Sequence, residues 1–436
     1  MMQHKKYIFL FVLITGILSC VNAQSILKLN DVYRLALENN FSIQLAKNEQ
    51  EINRNNNSIG AAGMLPNIAA TAGKDNTVTD TKQKFLNGAT NDRDAAKANQ
   101  LNAGVELGWT IFDGFKMFAS KNRLEQLQNQ GELRFKMQIE QVYSRISKAY
   151  YDIVQAKQML EVEKQSISLS EQRLKLVQDR FDAGKSSKAE VLNAQVDFNA
   201  DKSRLLKQKN VLQNLKINLN QLLAREIDTE FDVENEIENT ADYKLDSLSM
   251  LAAEKNTSIL ILKSGKNIQN YAIKEIQAER YPSVSLRTGY TYSKSESEAG
   301  FLQSSDNTGY HYGAGVNLNV FSGSSVSRRM TNAKIGLKST ELILKDSLSK
   351  LQMSLNATFR NLQLGKELLL MESENLKVAK SNVELATEQY KIGVISALEL
   401  RQAQQNLLSA ETRYLAARYD AVLAEIELKR MCGLLF

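Results

Sequence analysis

The sequence predicts an α+β protein built as two copies of one plan, in which amphipathic strand pairs alternate with very long helical hairpins. Three observations carry this: the chain repeats itself once, four segments alternate apolar and polar residues, and long stretches keep a strict heptad. Composition agrees. The 436 residues include only two prolines, roughly a tenth of ordinary usage, which suits long uninterrupted helices. With 43% hydrophobic residues, two cysteines and two histidines, the chain is neither disordered, nor a disulfide-stapled miniprotein, nor a Cys/His zinc module. The net charge of +6 is spread along helices rather than clustered, so nucleic acid is not an expected partner. Past the N-terminus no run of about 18 apolar residues exists, so any membrane role must use strands.

The repeat sets the order of elements. Leu29-Asn30-Asp31 through Glu38-Asn39-Asn40 aligns with Leu245-Asp246-Ser247 through Glu254-Lys255-Asn256, and Leu65-Pro66-Asn67-Ile68 aligns with Tyr281-Pro282-Ser283-Val284, both at an offset of 216. Ile111-Phe112-Asp113-Gly114 matches Val320-Phe321-Ser322-Gly323, and Arg180 to Gly184 matches Gln389 to Gly393, both at 209. The difference falls in a polar loop. Each proline stands where a helical pattern becomes an alternating one, a place that suits a first strand residue. Each half therefore reads as helix, strand, polar loop, strand, very long helix, tight turn, returning helix.

Strands are expected at about 66–73, 101–112, 282–292 and 310–321. Leu101, Val105, Leu107, Trp109 and Ile111 alternate with Asn102, Gly104, Glu106 and Gly108; Tyr310, Tyr312, Val316 and Val320 alternate with His311, Gly313, Gly315 and Asn317. Such segments of about ten residues suit a membrane barrel, although a soluble sandwich would show the same pattern. The segments 74–100 and 293–309 read as polar loops.

The helical hairpins, 116–225 and 325–432, keep apolar residues seven apart: Leu348, Leu355, Leu362, Leu369, Leu376, Val383 and Tyr390 in one helix, Leu400, Ala403, Leu407, Ala410 and onward in its partner. Two apolar positions in seven are too few for the middle of a globular bundle, so both broad faces should meet water, as in a rod or a tube one helix thick. Residues 116–180 alone would span about 98 Å. Residues 226–242, with eight acidic residues and no basic one, read as a strap against the outside of that rod. Four strands cannot close a barrel, for which about eight is the minimum, so strands in a membrane would require oligomerisation.

Lys5 and Lys6, the apolar run Tyr7–Leu18 and Val21-Asn22-Ala23 form a signal peptide over 1–23. Ile17-Leu18-Ser19-Cys20 supports a competing reading in which Cys20 is lipidated and retained. If 1–23 is removed, the first repeat covers 24–242 and the second 243–436, the net charge falls to +4 as two lysines leave, and Cys432 is the remaining cysteine.

Taken in order, these features resemble the TolC-like outer membrane efflux protein family over nearly the whole mature chain. The residues that carry the resemblance are the duplicated plan, a proline before the first strand of each half, Trp109-Thr110-Ile111-Phe112-Asp113-Gly114 at the exit from strand to helix, Asn218-Leu219-Asn220-Gln221-Leu222-Leu223, and the two glycine-centred tips. The resemblance implies a homotrimer with four strands per chain in one outer membrane β-barrel, continued by a periplasmic α-helical coiled-coil barrel. It implies an exit duct of a tripartite efflux or type I secretion system, with outer membrane lipid, a periplasmic adaptor and an inner membrane transporter as partners. The alternative, a periplasmic coiled-coil adaptor, would carry one hairpin between β-rich segments, not two hairpins alternating with strand pairs.

Candidate functional residues lie at the tips. Gly184 and Gly393 interrupt each seam where the chain reverses, which a turn alone requires. The resemblance adds that Ala183, Gly184, Lys185, Ile392, Gly393 and Val394 dock the adaptor, with Lys185 departing from the usual apolar residue. Glu190 and Glu399 each follow a tip glycine by six residues; first-turn placement at a helix dipole explains this, while the resemblance makes them gate residues, Glu399 foremost, with Tyr390 and Arg401 as latch partners. His311 reads as an ordinary strand residue and Cys432 as a small structural side chain. No P-loop, dinucleotide fingerprint or nucleophile elbow is present, so neither a cofactor nor enzymatic activity is expected.

Overall fold

The computed structural model describes residues 26–235 and 240–435. The signal peptide, Cys20 and part of the acidic strap fall outside them. Two short helices, α1 (Leu29–Asn39) and α2 (Phe41–Asn56), precede strands β2 (Asn67–Lys84) and β3 (Thr90–Phe112) and the hairpin α3 (Lys116–Asp182) and α4 (Lys188–Leu222). The same order returns as α5 (Leu245–Lys255), α6 (Thr257–Ala278), β5 (Ser283–Ser297), β6 (Ser304–Asn317), α7 (Ser325–Ile392) and α8 (Ala397–Met431). Strands β1 (Ile26–Leu27) and β4 (Asp232–Val233) pair in parallel. Among the described residues no helix is long and apolar enough to cross a membrane.

The described chain forms two compact units, and neither coincides with a sequence repeat. One gathers the segment ending at Ala46, Lys136–Asn256 and the chain from Ser349; the other gathers Lys47–Phe135 and Thr257–Leu348. Each unit draws on both halves.

The second unit holds the sheet, ordered β2-β3-β5-β6 with every neighbour antiparallel. Residues directly opposite in such a sheet share a face. Val105 lies opposite Ala70 and Tyr290, Tyr290 opposite Tyr310, and Trp109 opposite Leu286, so one face is apolar across all four strands. On the other, Glu106 faces Gly289 and His311, and Gly108 faces Arg287 and Gly313. The His311 ring lies over Gly289, where a Cβ would stand 2.9 Å from its Cε1. The outer edges of β2 and β6 have no partner within the described chain.

Two strand expectations need correction. Most of 74–100 is strand, not loop, since β2 runs to Lys84 and β3 starts at Thr90 around a turn in which Phe85 N donates to Ala89 O at 2.8 Å. A ribbon with water on both faces needs no apolar alternation, so its sequence looks like a loop. The same holds for most of 293–309, which β5 and β6 share. Conversely, β6 ends at Asn317, opposite Ser283. Residues 318–321, expected as strand, lie beyond this last pair.

In the first unit the heptad seam is buried as spaced: Leu355, Leu362, Val383 and Tyr390 from α7 and Leu400, Ala403, Ala410, Ala417, Ala421 and Leu428 from α8. The described part of the acidic segment lies on α3, with Phe231 and Val233 buried and Lys157 Nζ donating to Asp232 at 2.6 Å and to Val233 O at 3.0 Å. Lys366 on α7 binds Asp242 at 2.7 Å. Cys432 is fully buried, and burial pushes its thiol up to about 11.

Candidate functional site: the hairpin tips

Both hairpins reverse through the same motif. At the end of α3, Lys185 N donates to Arg180 O at 2.7 Å and Gly184 N to Phe181 O at 2.9 Å; at the end of α7, Val394 N donates to Gln389 O at 2.9 Å and Gly393 N to Tyr390 O at 3.1 Å. These paired bonds satisfy the last helical carbonyls and place the glycine in the left-handed region, at φ +71° for Gly184 and +83° for Gly393. A serine then starts each returning helix, with Ser187 accepting from Glu190 N and Ser396 from Glu399 N.

The acids that follow diverge. Glu399 completes a capping box: its carboxylate accepts from Ser396 N at 2.7 Å and from the Ser396 hydroxyl at 2.8 Å. These bonds, the backbone one first, hold its carboxyl below the ordinary glutamate range. Glu190 instead accepts from the Ser186 hydroxyl, leaving the backbone at Ser187 without that second half of the box.

The tips meet in one apolar cluster of Val177, Val191, Ala194, Val383, Ala386, Tyr390, Leu400 and Ala403. Arg180 seals it from the first hairpin, donating to Tyr390 O at 2.6 Å with its guanidinium 4.9 Å from the Tyr390 ring centre. Burial raises the Tyr390 phenol, and its buried hydroxyl has no hydrogen-bond partner among the described residues. Outside the cluster, Ile392, Val394 and Leu398 are 76%, 67% and 76% exposed. Ala183, Gly184 and Lys185 are also exposed, so the second tip presents apolar side chains where the first presents a lysine.

Above the tips lies a buried charge network. Arg173, 2% exposed, binds Asp197 at 2.6 Å; burial pulls this guanidinium down from its ordinary value. Arg401 reaches the two oxygens of Asp201 at 3.3 and 3.4 Å and stands 3.5 Å from Asp197. Fully buried Asp201 also takes Arg204 at 2.6 Å, and Arg204 lies 3.3 Å from Glu163. The expected latch is thus not assembled as paired in the sequence reading: Arg401 goes to Asp197 and Asp201, Tyr390 to Arg180, and Glu399 to its own helix start. The aspartates and Arg173 were missed. A signal existed, because Asp201 and Glu163 are the acids that fall on core positions of the first hairpin's heptad, where most residues are apolar.

Comparison with known proteins places this architecture. The model of the family described as outer membrane efflux protein matches residues 32–225 and 250–434. Outer membrane protein TolC of Vibrio cholerae is 20% identical over 418 residues, covering 93% of this chain and 91% of the relative. Alkaline protease secretion protein AprF of Pseudomonas aeruginosa is 21% identical over 416 residues, 94% and 85% of the two chains. Among solved structures, VceC of Vibrio cholerae aligns with a TM-score of 0.77 at 16% identity over 93% of this chain and 96% of its own. The Campylobacter jejuni CmeC channel gives 0.77 at 17% over 94% and 86%. The chain belongs to the outer membrane efflux protein family and is an outer membrane exit channel with a periplasmic extension.

Proposed function

We propose that three copies of this chain close one twelve-stranded barrel, and that the hairpin tips receive a periplasmic adaptor driven by an inner membrane transporter. The observation that carries the trimer is the sheet itself: four strands with a continuous apolar face, and outer edges on β2 and β6 that no part of the described chain pairs. Exposed edges are unsatisfied in a bilayer, and four strands cannot close. Three copies supply twelve and pair each β6 with the next β2. In this reading residues 318–321, with Val320 and Phe321 88% and 80% exposed, gain their partner from the neighbouring copy.

Adaptor docking rests on the exposed Ile392 and Val394 beside Gly393, with Ala183, Gly184 and Lys185 as the weaker second contact. The gate comprises Glu190, Glu399, Tyr390 and Arg401, with Asp197 and Asp201 as the groups that Arg401 holds. Cargo crosses in water, so shape and charge do the selecting. The mass of the detergent-solubilised particle tests the assembly. Three chains per particle are expected, dissociating on heating; one chain per particle overturns the reading.

A further inference from the structure

A cavity of about 580 Å³ opens in the sheet-bearing unit where β3 becomes α3 and α6 approaches β5. Gly114 builds its wall: at φ +71°, a Cβ there would stand 2.4 Å from Ala278 O and 2.7 Å from Tyr281 Cβ. Asp113 caps α3, accepting from Met117 N at 3.0 and 3.1 Å. The lining combines two chemistries. Phe115, Phe118 and Tyr281 are 63%, 54% and 58% exposed, and Phe115 meets Phe112 edge-on and lies tilted against Phe118. Lys274 and Arg280 are the cations.

Neither cation has a carboxylate partner among the described residues. The acids beside them are already occupied: Glu275 holds Arg123 at 2.8 Å, and Glu279 holds Arg329 with Lys116 at 3.9 Å. Lys274 lies only over the Tyr271 ring, 4.9 Å from its centre. The cavity therefore carries two uncompensated positive charges above exposed aromatic rings.

Its place selects the occupant. The strand ends joined to helices are the periplasmic ends, so the cavity stands at the inner interface of the outer membrane. Amphipathic rings belong at such an interface, and basic pockets there attract lipid phosphate. We infer that this cavity holds an anionic phospholipid of the periplasmic leaflet, its phosphate between Lys274 and Arg280 and its acyl chains along Phe115, Phe118 and Tyr281.

Native mass spectrometry of the full-length protein, extracted in mild detergent and offered equal dioleoyl phosphatidylglycerol and phosphatidylcholine, tests this. Phosphatidylglycerol should be retained over phosphatidylcholine by about tenfold. Lys274→Gln with Arg280→Gln should bring the ratio to parity, while Lys274→Arg with Arg280→Lys keeps it. Parity in the unsubstituted protein overturns the inference whatever the variants do. Displacement of the lipid by excess inorganic phosphate overturns it in favour of a free-anion site.

Discussion

The two helical hairpins share one ion pair and differ in the buried charges that join it. Glu163 and Arg204 in the first stand at the same repeat positions as Glu372 and Arg413 in the second, 209 residues apart, and both pairs form, at 3.3 and 2.8 Å. The remaining network has no counterpart: Arg173, Asp197 and Asp201 correspond to Asn382, Asn406 and Ala410, while Arg401 corresponds to Leu192. Duplication supplied the seam and one pair along it. The first hairpin carries the acids and the second the arginine that answers them, so Arg401 binds across the two hairpins. A single hairpin dimerising with itself would lack that complementarity.

Removing the unique acid should have the largest effect. Asp201→Ala strands Arg204 and Arg401 against a buried site, and breaking a buried pair by deleting one partner costs about 3 to 5 kcal/mol. Denaturant unfolding should record the loss, with hydrogen exchange locating it at the tips. The reciprocal Ala410→Asp sharpens the comparison. Ala410 is 1% exposed, and Arg413 stands three residues on, as Arg204 does from Asp201. If that spacing suffices, Ala410→Asp will be milder than Ala410→Asn; an equal loss would show that an arginine three residues on does not by itself hold the acid.

The helical seam was legible because apolar spacing reports burial directly, and Leu355, Leu362, Leu400 and Leu428 are buried where the heptad puts them. The outer ends of the strands were not, since residues such as Lys82 and Asp92 pair across a ribbon open to water. The tip motif was legible from Gly184 and Gly393. The charge partners were not, because Arg401 and Asp201 lie 200 residues apart and no local pattern joins them. Only the break that Asp201 makes in the seam pointed there.

Next in size come the turns. Both tip glycines have positive φ, so Gly184→Ala and Gly393→Ala should each cost about 1 kcal/mol. Open space surrounds Gly184, while a Cβ on Gly393 meets Arg180 at an ordinary 3.6 Å, so neither change adds a clash. Stability losses should match, yet export should fall further for Gly393→Ala if Ile392 and Val394 dock the adaptor. Equal export would remove the functional difference between the tips.

Tyr390→Phe deletes a hydroxyl that has no partner among the described residues, so stability should change by less than about 1 kcal/mol or rise slightly. The repeat supports the substitution, since Phe181 occupies the equivalent position. Conductance in planar bilayers separates two roles. If the phenol meets Glu190 when the tips move, Tyr390→Phe and Glu190→Gln will alter gating alike; unchanged gating in both leaves Tyr390 as packing.

The smallest effect concerns the two serine caps. Ser396→Ala removes both bonds of the Ser396 hydroxyl and leaves the backbone N–H to donate to Glu399, whereas Ser187→Ala removes one bond, so the second should cost less than the roughly 1 kcal/mol usual for a cap. The box also gives the second tip a pH response of fixed sign. The Glu399 carboxyl is held below its ordinary 4.5 by the Ser396 N–H and hydroxyl, so the charged form is the one the folded tip favours. Its contribution is complete above the unfolded value and disappears as acidification passes the depressed one. Protection at Ser396–Leu400, measured against the intrinsic exchange rate at each pH, should therefore fall as acidification passes the depressed value, and Glu399→Gln should flatten that profile while lowering cation selectivity at neutral pH. Unchanged cation selectivity in Glu399→Gln would instead mean that the carboxylate stays in its box and serves only the helix start, removing Glu399 from the gate.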